Sequence, residues 1–188
     1  MSKVKDFPFL IKAFRLALDT LPASVLPKLV IIGGNAAERD ELGLPQLAES
    51  LELRQHIDFR DGMGQAELAR FFLQARLFAG CSQHETFGLL PVEARACGTP
   101  WVVRTNSSYI TTATEGHGGF FVDNHDEQDM ASKIATILTL PEDRWERMSA
   151  AAAESTKHYT WTSSAQGCLA VYRDARRSLL ENLTAGPI

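Results

Sequence analysis

The chain lacks an excess of basic residues. Its 188 residues include 19 lysines and arginines against 23 aspartates and glutamates, which gives a formal net charge of −4. A nucleic-acid-binding module needs a basic surface to meet the phosphate backbone, and this balance does not supply one. The composition therefore argues against a nucleic-acid partner.

Cysteines are also few. The three of them, Cys81, Cys97 and Cys168, are odd in number and form no CxxC motif. This pattern argues against a disulfide framework and against a zinc site, and no other cluster of metal ligands stands out, so we expect no metal cofactor. The same cysteine usage favours a reducing, cytoplasmic location.

Long apolar runs are missing as well. No stretch approaches the roughly 18 residues of a transmembrane helix, and Lys12 interrupts the amino-terminal apolar region too early for a signal peptide. The last helical segment carries Arg173, Arg176 and Arg177 on one face. That face leaves peripheral contact with anionic lipid open, although an ordinary solvated surface beside Asp174 is the simpler interpretation.

What the chain does contain is enough apolar residue, 45%, to bury the core of one domain. Short apolar runs alternate with segments of helical period. Strands are expected near 29–32, 56–60, 77–79, 100–103 and 119–122, and helices near 7–21, 45–53, 66–75, 88–98 and 127–140. This rhythm predicts an α/β domain with a Rossmann-like, doubly wound parallel sheet over residues 1–140 and an all-helical segment over 141–188.

Some finer expectations follow from the same patterns. Asp6 is placed to cap the first helix, and Trp145 and Trp161, each at the start of a late helix, are expected to anchor in the core. Ligands of such sheets bind beyond the carboxyl ends of the strands. The loops predicted there carry glycine: Gly33-Gly34, Gly62-Met63-Gly64 and residues 84–88.

The glycine turn after the first strand does not indicate a nicotinamide-binding dehydrogenase. It continues as GGNAAERDEL and lacks the GxGxxG fingerprint. Gly88 is more informative because it opens a helix. A glycine there lets a ligand approach the backbone, and the amides of the first turn attract anions. The candidate donors to a phosphate or diphosphate are the amides of Thr86, Phe87, Gly88, Leu89 and Leu90.

Two carboxylates flank this anion site. Glu85 lies before the helix, and Glu93 lies about five residues into it. A carboxylate beside a phosphate repels it but can accept hydrogen bonds from hydroxyl groups. A ligand with hydroxyls, then diphosphate, then hydroxyls is a nucleotide sugar.

The stretch HETFGLLPVEARACGTPWVV, residues 84–103, resembles the E-x7-E segment of the retaining GT-B glycosyltransferases called family 4 or group 1. The similarity extends over most of the chain. Other segments that resemble the family pattern are Lys5-Asp6-Phe7 with the helix that follows, the strand and glycine turn of residues 29–34, residues 57–62, residues 119–122 and Tyr159-Thr160-Trp161.

The resemblance implies a role for each matching residue. Glu85 would contact the transferred sugar, Glu93 the ribose, and Lys5 the diphosphate as it leaves. The amides of Thr86, Phe87, Gly88 and Leu89 would hold the diphosphate, the loop at Met63 would contact the base, and Gly33-Gly34 would form the family's glycine turn. The donor would be a UDP-, GDP- or ADP-hexose, and no metal is obligatory.

The chain also departs from the family pattern. The family's usual arginine would precede Met1, Asp6 replaces a glycine, and Ser107-Ser108-Tyr109-Ile110-Thr111 replaces a G-G-x-P-E loop. The resemblance therefore implies the C-terminal, donor-binding half of a larger enzyme, without its N-terminal acceptor domain and inactive alone. The alternative is a free-standing, non-catalytic module that binds nucleotide sugars. The first interpretation also predicts exposed apolar surface on the strand-end rim and along the last helix.

Overall fold

The computed structural model describes residues 3–105, 107–123 and 125–184. The chain divides into two compact units, Met1–Ser155 and Thr156–Ile188. The second unit contains one long helix, α9 (Trp161–Thr184). Among the described residues, no helix combines the length and the apolar character needed to cross a bilayer.

The first unit alternates strands with helices. It begins with a short 3-10 helix, Lys3–Lys5, and continues in the order α1 (Phe7–Thr20), β1 (Leu29–Ile32), α2 (Ala36–Glu41), α3 (Leu44–Ser50), β2 (Ile57–Arg60), α4 (Gln65–Gln74), β3 (Phe78–Gly80), α5 (Leu89–Ala96), β4 (Trp101–Arg104), α6 (Ser107–Thr112), β5 (Gly119–Val122), α7 (Glu127–Leu138) and α8 (Glu142–Glu154). Each predicted strand is present within two residues of its expected bounds. The α/β class and the helical carboxyl-terminal segment are confirmed.

All the strand pairs are parallel, but they form two sheets where the sequence predicts one. β1 pairs with β2, and β3, β4 and β5 form a second sheet in that order. Alternating strands and helices predict parallel strands, because each crossover helix returns the chain to the end of the sheet at which the previous strand began. They do not determine which strands become neighbours, and the inner edges of β1 and β3 are not hydrogen-bonded to each other.

Helix α1 packs against both sheets. Phe9, Leu10 and Ala17 join a core cluster with Val102 of β4 and Met130 of α7. The opposite side of the helix places Ile11 and Phe14 in a second cluster with Ile31 of β1, Leu44 and Leu53. Apolar residues around most of this helix therefore fit its position between two cores.

The two tryptophans predicted to anchor in the core differ in their burial. Trp145 packs on the first core cluster, and its indole N–H donates to the carbonyl of Arg76 at 2.8 Å. Trp161 is 93% exposed, so its prediction as a core anchor is wrong. It is the first residue of α9, and the apolar pattern of that helix alone did not distinguish an exposed face from a buried one.

The cap predicted at Asp6 is correct in position only. Asp6 precedes the first residue of α1, but its side chain makes no capping hydrogen bond, and its φ of 48° lies in the left-handed region. Its carboxylate instead pairs with Arg104, at 2.6 Å. Helix α2 is absent from the prediction, although its start has a capping box in which Asn35 and Glu38 exchange hydrogen bonds.

Candidate functional site

Two glycine loops meet beyond the carboxyl ends of β1 and β2. The amide of Gly33 donates to the carbonyl of Arg60 at 3.0 Å, and the amide of Gly62 donates to the carbonyl of Gly34 at 3.2 Å. Gly33 and Gly34 have φ values of 130° and 62°, which residues with a side chain rarely adopt. A Cβ built on Gly33 meets nothing within 4 Å, so the backbone there is open to close approach. Half-buried Met63 lies in the second loop.

The buried side chain of Arg39 connects these two loops by hydrogen bonds. It is 8% exposed, and its guanidinium donates to the carbonyl of Arg60 at 3.1 Å and to the carboxylate of Asp61 at 2.7 Å, with a longer contact to the carbonyl of Gly33. Sequence reasoning missed this residue because it missed helix α2. An arginine five residues after a glycine pair was the available signal.

The two predicted catalytic residues lie in direct contact. The ammonium of Lys5 is bonded to Oε1 of Glu85, across 80 positions of sequence. The same oxygen accepts from the hydroxyl of Ser82 at 2.9 Å, and the main-chain carbonyl of Glu85 accepts from the hydroxyl of Ser108. The Glu85 side chain is 17% exposed and that of Lys5 is 38% exposed, so the pair opens to solvent at the rim.

Backbone contacts fix the position of Lys5. The thiol of Cys81 donates to the carbonyl of Lys5 at 2.9 Å, and the amide of Gln83 donates to the carbonyl of Val4 at 2.9 Å. Burial raises the pKa of Cys81 to about 12, so this thiol stays protonated and able to donate. The segment before α1 therefore lies along the loop that follows β3.

An ion pair between buried Arg104 and half-buried Asp6 strengthens this attachment. Asp6 accepts from the guanidinium of Arg104 at 2.6 Å and from the side-chain amide of Gln83 at 2.9 Å. Arg104 is 1% exposed and stacks 4.2 Å above the ring of Phe9. Burial alone would raise the pKa of Asp6, but hydrogen bonds from Gln83 and Arg104 outweigh it and hold that pKa below its ordinary value. Asp6 thus stays charged beside Lys5.

Helix α5 begins directly after Gly88, as predicted. Gly88 has φ 78° and is buried against Tyr109, so a Cβ placed there would lie 2.6 Å from a ring carbon. The first-turn amides of a helix have no acceptor within it, which leaves the start of α5 suited to an anion. Thr86, Phe87 and Leu89 are exposed around it. Phe87 and Leu89 give the rim the apolar surface that the half-enzyme interpretation predicts.

Glu93 lies on α5, about 7.5 Å along the helix axis from Gly88. Its carboxylate accepts from the side-chain amide of Gln65 at 3.1 Å. Gln65 is the first residue of α4 and follows the Met63 loop directly. Within the described residues, Glu85 and Glu93 therefore have separate partners, one on each side of the Gly88 helix start.

The fold matches that of solved glycosyltransferases. Sucrose-phosphate synthase from Thermosynechococcus elongatus superposes with a TM-score of 0.76 at 22% identity, over 94% of this chain and 44% of that one. Anabaena HepE in complex with UDP and glucose gives a TM-score of 0.76 at 20% identity, over 93% and 46%. The fold is thus that of the GT-B glycosyltransferases.

Sequence comparison identifies the family. Residues 1–155 match the model of glycosyl transferases group 1, and the chain belongs to that family. A D-inositol 3-phosphate glycosyltransferase of Thermobifida fusca is 33% identical over 180 residues, 93% of this chain. One of Stackebrandtia nassauensis is 33% identical over 151 residues, 79% of the chain. The chain spans 41% and 34% of the lengths of these two relatives.

Proposed function

We propose that the chain binds the nucleoside-diphosphate hexose donor of a retaining glycosyltransferase. In this proposal it is the C-terminal, donor-binding half of a longer enzyme, and an N-terminal domain elsewhere in that polypeptide carries the acceptor site. The observation that carries the proposal is the Lys5–Glu85 pair, placed three residues before the Gly88 helix start. HepE, which shares the fold, is seen with UDP and glucose, and this supports a donor of the same chemical class.

The diphosphate would lie at the start of α5. The chain from Glu85 to Gly88 spans at most about 11 Å, so Lys5 lies within reach of a ligand held by the amides of Thr86, Phe87, Gly88 and Leu89. An exposed helix terminus contributes only about 0.3–1 kcal/mol toward an anion. A charge-assisted hydrogen bond from Lys5 would add about 1.5–3 kcal/mol. Charge develops on the diphosphate as it leaves, and these donors would stabilise it there without a metal.

Glu85 and Glu93 would accept hydroxyl groups on opposite sides of that diphosphate. A phosphate that attracts Lys5 would loosen the Lys5–Glu85 bond and leave the Glu85 carboxylate available to the sugar. Glu93, on the side of the Met63 loop, would accept from the ribose, and the open backbone at Gly33, in the Gly33-Gly34 turn, would admit the ligand. The base contacts would come from the Met63 loop. UDP, GDP and ADP are the candidate nucleotides.

In this proposal the acceptor is bound by the N-terminal domain and not by the 188 residues of this chain. The curated relatives are more than twice as long as the segment they share with it. We therefore expect the 188-residue chain alone to bind the donor weakly and to transfer no sugar.

Calorimetric titration of the chain with UDP, GDP, ADP and NAD tests the proposal. We expect one of the three nucleoside diphosphates to bind, and NAD not to bind. Glu93→Ala removes a charged acceptor and should weaken that binding about 10- to 150-fold. The matched control is Glu146→Ala, an exposed position on α8, which should leave affinity unchanged. Absence of binding by all three at millimolar concentration would overturn the proposal for this chain.

A further inference from the structure

Helix α6 contacts Glu85 through two of its residues. The hydroxyl of Ser108 donates to the main-chain carbonyl of Glu85, and the side chain of Tyr109 hydrogen-bonds with the side chains of Glu85 and Ser82. Ser108 and Tyr109 both lie in the segment that replaces the G-G-x-P-E loop of the family pattern. A helix with two side chains on Glu85 therefore stands where the family pattern has a glycine loop.

Packing fixes the ring of Tyr109. The residue is 2% exposed and belongs to one core cluster with Trp101 of β4. Its ring also lies against Gly88, where a Cβ would approach a ring carbon to 2.6 Å. Its hydroxyl lies beside Gly80, 3.5 Å from the position that a Cβ would occupy there. The phenol therefore reaches Glu85 from a rigid position between the end of β3 and the start of α5.

The phenol of Tyr109 keeps its proton and can donate it. Burial raises the pKa of Tyr109 well above its ordinary value, and the charge of Glu85 acts in the same direction. The hydroxyl of Ser82 already gives its one proton to Oε1 of Glu85, at 2.9 Å. The proton of Tyr109 is then directed either to the Glu85 carboxylate itself or to the oxygen of Ser82. Both arrangements stabilise the negative charge on Glu85, the second by polarising the Ser82 hydroxyl.

Lys5 is the partner of Glu85 that a diphosphate would attract. Its side chain is 38% exposed, whereas Ser82 and Tyr109 are buried. When the ammonium of Lys5 turns to the diphosphate, the two buried hydroxyls stay in place around the carboxylate. A carboxylate without them would be free to rotate once Lys5 had left. With them, the oxygens of Glu85 meet the sugar from one preset orientation, which lowers the cost of ordering the site on binding.

We propose that Tyr109 is a positioning residue, which holds the Glu85 carboxylate in the orientation that accepts a hydroxyl of the donor hexose. The inference rests on the proposed function and deepens it, because it assigns part of the recognition of the sugar to a buried side chain that the sugar does not touch. Tyr109 acts through Glu85, and Glu85 lies on the sugar side of the diphosphate. Loss of the Tyr109 hydroxyl should therefore affect the hexose and leave the nucleoside diphosphate nearly unaffected.

Calorimetric titrations of the 188-residue chain with UDP, GDP and ADP, each beside its glucose conjugate, test the proposal. Tyr109→Phe removes the hydroxyl and keeps the ring against Gly88, so the variant should fold. We expect it to weaken binding of the glucose conjugate about tenfold, and binding of the matching diphosphate by less than about threefold. Tyr172→Phe is the matched control, because Tyr172 is exposed on α9, and it should change neither affinity.

A double-mutant cycle separates positioning from packing. In a Glu85→Gln background the carboxylate is gone, so Tyr109→Phe should weaken the glucose conjugate further by no more than about twofold. Ser108→Ala removes the other contact from α6 to Glu85 and should also weaken the glucose conjugate more than the diphosphate. It takes the place of Tyr109→Phe if that variant does not fold, as urea unfolding of each variant will show.

The outcomes distinguish this inference from the proposed function. Equal weakening of both ligands by Tyr109→Phe, or a tenfold loss that persists in the Glu85→Gln background, would overturn the inference and leave the proposed function standing. Full affinity of Tyr109→Phe for a glucose conjugate that Glu85→Gln binds weakly would do the same. Absence of diphosphate binding by the unmodified chain, or no selective loss in Glu85→Gln, would overturn the proposed function and this inference together.

Discussion

Gly88→Ala tests whether the start of α5 depends on a position without a side chain. Gly88 has φ 78°, and a Cβ there would approach two ring carbons of Tyr109 to 2.6 and 2.7 Å. Tyr109 is 2% exposed and belongs to the cluster around Trp101, so its ring has little room to move. The substitution therefore imposes a backbone cost and a packing cost together.

The two costs have different sizes and can be separated. A left-handed conformation at a residue with a Cβ costs about 1–2 kcal/mol. Overpacking against a buried ring adds about 1–3 kcal/mol. We expect Gly88→Ala to lower the free energy of unfolding by about 2–5 kcal/mol. Gly43→Ala is the matched control, because Gly43 has φ 66° and its added Cβ meets nothing within 4 Å. Gly43→Ala should lower the free energy of unfolding only by the backbone cost of about 1–2 kcal/mol.

Urea unfolding at constant slope measures both values. In a Tyr109→Val background the ring is gone, and the effect of Gly88→Ala should fall to that of Gly43→Ala, as a double-mutant cycle would report. Equal losses for the two alanine variants in the unmodified chain would refute the reasoning. So would a Gly88→Ala loss that persists unchanged without the ring.

Two further predictions concern the attachment of the amino-terminal segment. Asp6→Asn should cost about 3 kcal/mol at pH 7, because it leaves Arg104 buried without its charged partner. Since the folded pKa of Asp6 lies below the ordinary 3.8, the pair stabilises fully above about pH 5 and loses this effect as pH falls through the lowered pKa. The variant should lack this acid-dependent loss in urea titrations from pH 2 to 7. Separately, a thiol reagent at pH 8 should modify exposed Cys168 and leave Cys81 unmodified until urea unfolds the chain, and rapid labelling of native Cys81 would contradict its burial.

The order of helices and strands was largely predictable, because the spacing of apolar residues along the sequence indicates which face of each helix or strand is buried. The strand at residues 119–122 was predicted at its observed bounds, and the glycine loops follow β1 and β2 as expected. Helix α2 was missed because it is short and mostly polar, so its start signal lay in the capping box rather than in an apolar pattern. The split into two sheets could not be predicted. The spacing of apolar residues and the alternation of strands with helices indicate the burial and direction of each strand, but not which strands lie next to each other.

The site shows the same division. The helix start at Gly88 followed from local sequence, since glycine, first-turn proline and spacing act over a few residues. The contact between Lys5 and Glu85 joins positions 80 apart. The family resemblance assigned both residues to one donor site, but it did not predict that they contact each other. The supporting hydrogen bonds from Ser82 and Gln65 depend on how two chain segments meet, so no local pattern revealed them.

The central claim is that Glu85 and Glu93 accept hydroxyls on opposite sides of a diphosphate. The most direct test is a set of titrations of the best-binding nucleoside diphosphate and of its hexose conjugate, against the unmodified chain, Glu85→Gln and Glu93→Gln. Glu93→Gln should weaken both ligands alike. Glu85→Gln should weaken only the hexose conjugate, and the diphosphate should bind as before or more tightly because Lys5 loses its carboxylate partner. Equal weakening of both ligands by both variants, or no effect of either, would contradict the account.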